Sequence, residues 1–596
     1  MTRRICLLAL VPLVFLCRFS NAIADEPKAA DADQAIVDLY KNGKLFDKAQ
    51  YAKVRTAFAN AFVQKHDEEI RKAFGKDHDE LMAWLDKNQE FKEELFTALL
   101  EERDDLSIAF RLVHDFWKKS PEEVAKYPNL VIAMALVWDQ PKNIYNYVGH
   151  QVRTHSILPE TAKKAVPVEV FQFYMDQAKD IQGKEAINRL QALPWEFLVY
   201  VVNHFTPAEE RVWAIKQFVP KRAMIGRIYS DVQYDKEMLR TQSQVCKLDG
   251  KQYTLENILK YGGVCAMQAD FASRVGQSIA VPAAYVRGQS AGLEQHAWVV
   301  WVEVHNVTKG GKVTFSLESH GRYFGDQYYT GLLHDPQTGE EILDRDMERR
   351  LGAVAKERDA KRQADLAMRA FPMLREKLSL DRNKTVGFLD QVLKVSHYNE
   401  GVWSELVGLV RTGELSAESK SIVLTHLDSL LKSYEAYPDF TWKIAPDLIQ
   451  INPDKAARNK VLERLATRFE TAGRPDLACQ ARLLWTDLPC ELKQWKTAAT
   501  GLSKTIDKFA TEGRYVPKMM DKLQEVCEKY KGGIEFLAKF YLETLAKIPG
   551  RRGDEPNKYC IAMHEQALKF LQDNKKDKEA ATIKQRLELV KSGRVP

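Results

Sequence analysis

Tyr261-Gly262-Gly263-Val264-Cys265-Ala266-Met267-Gln268-Ala269-Asp270-Phe271 decides how the chain is read. Two glycines allow a tight turn. The alanines that follow, Ala266, Ala269 and Ala272, are small and favour helix, so a closely packed helix should begin at Cys265 and end near Gly276. A cysteine at a helix N-terminus meets unpaired N–H groups and the positive end of the macrodipole, both of which favour the thiolate. The thiolate is the form that attacks carbonyls, and the cysteine's own N–H can face the developing oxyanion. Buried free cysteines usually only fill space, so chemistry requires further groups.

Downstream lies Gln295-His296-Ala297-Trp298, leading into the apolar run to Val304. A histidine at the mouth of a strand is held rigidly, and a neutral imidazole can take the thiol proton. Tyr285-Val286, Trp298 to Val304 and Val313 to Leu317 read as strands. In Val313-Thr314-Phe315-Ser316-Leu317-Glu318, apolar and polar residues alternate, so Thr314, Ser316 and Glu318 share one face. A hairpin through Lys309-Gly310-Gly311-Lys312 would lay this strand beside that of His296. The acid that orients the imidazole is then expected at Glu318, with Asp326 or Asp335 as alternatives. Counting symmetrically about the two glycines puts residue 325 opposite His296, which favours Asp326.

The two stretches GGVCAMQADFASRVGQSIAVPAAYVRG and EQHAWVVWVEV resemble the transglutaminase-like domain of the papain-related cysteine-enzyme superfamily. That resemblance implies Cys265 as nucleophile, His296 as base and Glu318 at the third position, where the family usually carries Asp. It covers about a quarter of the chain. It implies an α+β domain set in a predominantly helical chain, and a thiol enzyme acting on amide bonds through an acyl-thioester. Water would resolve the thioester in a peptidase or amidase, and a lysine amine in a crosslinking acyltransferase. The competing expectation is a catalytically inactive scaffold of the same fold whose helical flanks bind a protein partner.

Outward from this centre the pattern is helical on both sides. Expected divisions are a signal peptide at 1–24, an N-terminal helical region at 25–189, the catalytic domain at 190–348 and a C-terminal helical region at 349–596. Trp195 to Phe205 reads as a buried helix, and Thr206-Pro207 as the cap and first residue of the next. Near 452–486 a helical hairpin is legible. Asn452 caps it, Pro453 opens it, Leu462, Leu465, Ala466 and Phe469 form its buried face, Gly473 stops it and Pro475 starts the return. Two helices in about 34 residues resemble a tetratricopeptide unit.

Arg3 and Arg4, the apolar run Ile5 to Leu16 and Ala22-Ile23-Ala24 have the form of a secretory signal, so the mature chain is expected to be secreted or in the periplasm or cell envelope. About 12 apolar residues are too few to span a bilayer, which takes about 20, and no stable membrane span is expected. Removing Arg3, Arg4 and Arg18 leaves 85 basic residues of 88 against 82 acidic ones, so the net charge drops from +6 to +3. With no polybasic block, nucleic acid is not an expected partner. A protein or peptide substrate is. Of eight cysteines, six lie beyond the signal. Cys479 with Cys490 and Cys527 with Cys560 are candidate disulfides only because they are near in sequence. No phosphate loop, dinucleotide fingerprint or metal-ligand cluster stands out, so neither cofactor nor metal is expected.

Overall fold

Val286, Trp298, Val300 and Leu333, all buried, form one side of a single antiparallel sheet around which the central part of the chain is wrapped. The computed structural model describes residues 26–594 apart from 164–165, 291–293, 309–310, 325–326 and 553–554. The signal segment and Asp326 therefore lie outside the described residues. Among the described residues the chain is mostly helical with one six-stranded sheet and a two-stranded ribbon, an α+β arrangement.

The sheet contains β1 (Ala283–Ser290), β2 (Gln295–Val307), β3 (Val313–Ser319), β4 (Tyr323–Phe324), β5 (Gln327–His334) and β6 (Glu341–Leu343). Its order is β3-β2-β1-β5-β4, with β6 also paired to β5. The first three strands match the sequence expectation; β4 to β6 are additional. Five helices matter for the site: α1 (Val148–Arg153), α2 (Trp195–Val202), α3 (Ile225–Asp231), α4 (Cys265–Ser278) and α5 (Asp344–Lys377).

Register decides what each face carries. Tyr285 pairs with Val299, Arg287 with Ala297 and Gly288 with His296. Because side chains alternate, Tyr285, Ala297, Val299 and Trp301 share one face, while His296, Trp298 and Val300 share the other. The first face is covered by α3 and α4. A methyl at Gly226 of α3 would lie 2.6 Å from the Trp301 ring, and one at Gly276 of α4 would lie 3.0 Å from Ala283 Cβ. Gly276 thus sits inside α4 at a close approach rather than ending it. On the second face Phe197 of α2 meets Phe315 edge-on at 5.2 Å. Trp298 is fully buried there against Gly288 and Gly331, where an added methyl would come within 2.4 Å of its ring.

One hydrophobic core runs from Ala59 to Val354 and joins the N-terminal helices to the sheet, so no division between cores falls at 189/190. The earliest helices belong elsewhere: Ile36, Val37, Val54 and Phe58 pack with Ala364 to Trp485. A third core takes up Cys479 to Val590. In the C-terminal region polar ties recur at nearly constant spacing. His426 meets Asp390 and Arg411 meets Asp447 36 residues apart, Thr505 meets Glu470 at 35, and Thr544 meets Asp507 at 37. Within this region α6 (Lys455–Thr471) and α7 (Pro475–Glu491) form the expected hairpin. Asp454 caps α6 in place of Asn452, accepting from Ala456 N at 2.8 Å. Likewise Thr206 does not cap its helix but accepts a bond from Arg274 at 2.9 Å.

Candidate active site

Gly262, at φ +81°, adopts a backbone conformation L residues avoid, and a methyl there would lie 2.4 Å from Gln233 O. That close approach lets Gln233 to Asp235 run alongside the turn. Gly263 N donates to Gln233 O at 3.0 Å and Asp235 N to Gly263 O at 2.9 Å. Cys265 follows as the first residue of α4, half-buried, while nearly all of the helix behind it is buried. Asp270 holds that helix in place. It is fully buried and accepts the Tyr145 and Tyr253 hydroxyls at 3.0 Å each and Arg274 at 3.4 Å. Arg274 also reaches Glu210 at 2.9 Å. Removing one member of such a buried network would strand a charge at a cost of about 3–5 kcal/mol.

Three phenols, Tyr229, Tyr234 and Tyr285, feel the Cys265 charge. Burial pushes all three hydroxyls up, with that charge next in effect. The Tyr234 oxygen faces the Cys265 backbone N–H, where an oxyanion would sit. The remaining thiols are poor nucleophiles by environment. Burial raises Cys246, Cys479, Cys490, Cys527 and Cys560, with Cys527 at about 11. All six cysteines are unpaired. The expected Cys479–Cys490 disulfide is excluded because both lie on α7, eleven residues or about 16 Å of helix rise apart.

His296 shares its face with Trp298. Its ring stacks on the indole at 5.8 Å and sits 5.5 Å from Tyr329, and a methyl at Gly321 would lie 2.9 Å from its Nε2. It therefore points away from the face that α4 covers, and among the described residues no hydrogen bond joins it to Cys265. Burial, with His320 nearby, holds its imidazole down to about 4, so at neutral pH it is uncharged. Glu318 pairs with Trp301 and so lies on the opposite face from His296, where it cannot orient that imidazole. A β-bulge between Val304 and Asn306 shifts the register by one residue, displacing the symmetrical count that pointed to residue 325. Asp335 is committed elsewhere: it accepts Arg350 at 2.8 Å and the Gln337 and Thr338 N–H groups of its turn.

His320 is the imidazole on the thiol side. Its N–H donates to Val299 O at 3.1 Å, continuing the β3 register two residues past Glu318. Its ring packs 4.6 Å from Tyr229, whose hydroxyl donates to Ala297 O at 2.9 Å. Burial lowers it as well. In the sequence Tyr285 reads as either a cleft or a packing residue and His320 as a solvent-side one, while Tyr229 and Tyr234 do not stand out, because the convergence of these groups depends on strand parity and on the path of α3. No family model, curated protein or solved structure matches the chain.

Proposed function

We propose that the chain is an exported thiol enzyme acting on amide bonds of protein or peptide substrates, with residues 190–348 as a transglutaminase-like domain and Cys265 as nucleophile. One observation carries it: a half-buried cysteine opens a rigidly clamped helix with its N–H faced by the Tyr234 oxygen, while burial raises the other five thiols. The Cys265 sulfur adds to the amide carbonyl carbon and an imidazole takes the thiol proton. The same imidazole returns the proton to the departing amine, leaving a thioester. Water or a second amine then releases the acyl group.

Two imidazoles can serve. The sequence resemblance favours His296, neutral and able to accept a proton, but the start of β2 must rotate to bring it across. That motion breaks the pairings of Gln295 and His296 with β1 and the ring's contacts with Trp298 and Tyr329. His320 already lies on the thiol side. The separation of Cys265 and His296 by the sheet favours a second reading, an inactive scaffold whose helical flanks bind a protein.

The test is turnover of peptide and glutamine substrates by the mature chain, with and without added amine, against Cys265→Ser, His296→Ala and His320→Ala. Loss of turnover in Cys265→Ser and in one histidine variant supports the enzyme and identifies its base. Equal rates in wild type and Cys265→Ser leave the scaffold.

A further inference from the structure

A cavity of about 580 Å³ opens between the turn that follows the helix Glu26–Lys41 and the helix Arg382–Val395. Its floor is aromatic. Tyr40, Phe46 and Phe388 pack pairwise with ring centres 5.2–5.9 Å apart. Phe388 is buried, while Tyr40 and Phe46 are half-buried and offer an edge or a face to a further ring. The turn that carries Phe46 is pinned from behind. Gln363 of α5, fully buried, donates from Nε2 to Leu45 O at 2.9 Å and to Asp47 O at 3.0 Å. That wall is therefore formed before anything binds.

The opposite wall is one stripe of the second helix. Lys384, Gly387 and Gln391 line the cavity at spacings of three and four residues, which share a helix face. Seven residues of helix make the stripe about 10 Å long, a length that suits an extended segment. Glycine is a poor helix former, yet Gly387 lies in the helix interior, and a methyl added there would meet nothing within 4 Å. No crowding within the chain requires glycine at this position. Glycine does allow a ligand to approach the backbone closely. The rim is positive. Lys41 and Lys384 line the cavity from its two sides, both exposed, and among the described residues neither has a carboxylate within ion-pair distance. Asp47 is the one acid of the lining, and its carboxylate caps the next turn by accepting Ala49 N at 3.0 Å.

We propose that this cavity docks an acidic segment of a partner protein, with carboxylates on Lys41 and Lys384 and an aromatic side chain on the rings of Tyr40 and Phe46. The proposal does not depend on the role of Cys265.

The mature chain is titrated by calorimetry with a capped peptide of glutamates around a phenylalanine, and with the same peptide carrying lysines in place of the glutamates. The acidic peptide should bind saturably and the basic one should not. Lys41→Ala and Lys384→Ala should weaken binding about threefold each and about tenfold together, a difference that added salt should reduce. Gly387→Leu puts a bulky but better helix former into the cavity, so it should abolish binding while leaving the urea midpoint unchanged or raised. Were that variant to unfold, the lysine variants and the basic peptide decide alone. Absence of saturable binding by the acidic peptide, equal binding of the basic one, or undiminished binding in either folded Gly387→Leu or the double lysine variant overturns the proposal. Wild-type dimers in sedimentation that Gly387→Leu disperses would assign the cavity to a second copy of the chain and overturn it as well.

Discussion

Asp104 offers a quantitative handle on how the N-terminal helices are joined to the sheet. Its carboxylate Oδ2 accepts Leu100 N at 2.7 Å and Gln337 Nε2, from the β5–β6 turn, at 3.3 Å. Oδ1 is buried with no partner among the described residues. Burial pushes the carboxyl up to about 7, with the charge of nearby Asp139 adding to the rise. The ordinary value is 3.8, so the native state keeps a proton that the unfolded chain releases between about pH 4 and pH 7. Stability is therefore fullest below that window and falls as pH rises through it. About three units at 1.36 kcal/mol each make the loss about 4 kcal/mol. Asp104→Asn is uncharged throughout and escapes the loss. Its buried amide hydrogens, short of an acceptor, cost about 1 kcal/mol. The variant should thus match wild type in stability near pH 4.5, where the unfolded carboxyl has already released most of its proton and cost wild type about 1 kcal/mol, and be about 3 kcal/mol more stable at pH 8. Urea unfolding followed by tryptophan fluorescence across that range reads it directly. A wild-type-minus-variant difference that stays constant with pH would refute the reasoning.

Other outcomes follow from the same coordinates. Gly331→Ala would put a methyl 2.4 Å from the Trp298 ring and 2.6 Å from Val286 Cγ1, overpacking that should cost about 1–3 kcal/mol; an unchanged urea midpoint would contradict the packing described. His296, held near 4 by burial, should keep a neutral imidazole proton signal in NMR down to about pH 5, whereas a midpoint near 6.5 would mean the ring leaves its site beside Trp298. Its depressed value also means that stability drops as pH falls from about 6.5 to 4, where the unfolded chain takes up the proton first, and His296→Gln should flatten that limb in the same unfolding series.

The parts legible in the sequence were those set by local rules. Paired glycines before alanines place the start of α4 at Cys265, and β-branched and aromatic runs mark the first three strands. Gly473 and Pro475 delimit α6 and α7. What escaped depended on distant pairing. The β2 bulge cannot be read from Val304-His305-Asn306, yet it moves the partners of Phe315 to Ser319 by one residue. Strand parity puts His296 beside Trp298 and His320 toward α4, and no local pattern distinguishes the two imidazoles. Thr206 fits a cap signature, but Arg274, 68 residues on, claims its hydroxyl. The ion pair of Asp335 with Arg350 joins residues too far apart for spacing to suggest.

The central claim concerns covalent chemistry at one sulfur, and intact-mass spectrometry of the mature chain incubated with an acyl donor reaches it without knowledge of the natural substrate. With p-nitrophenyl acetate, a single acetyl should accumulate on the peptide containing Cys265, be released by hydroxylamine as a thioester, and be absent from Cys265→Ser. Acetylation spread evenly over lysines and other cysteines, with Cys265 no faster than Cys490, would contradict the account.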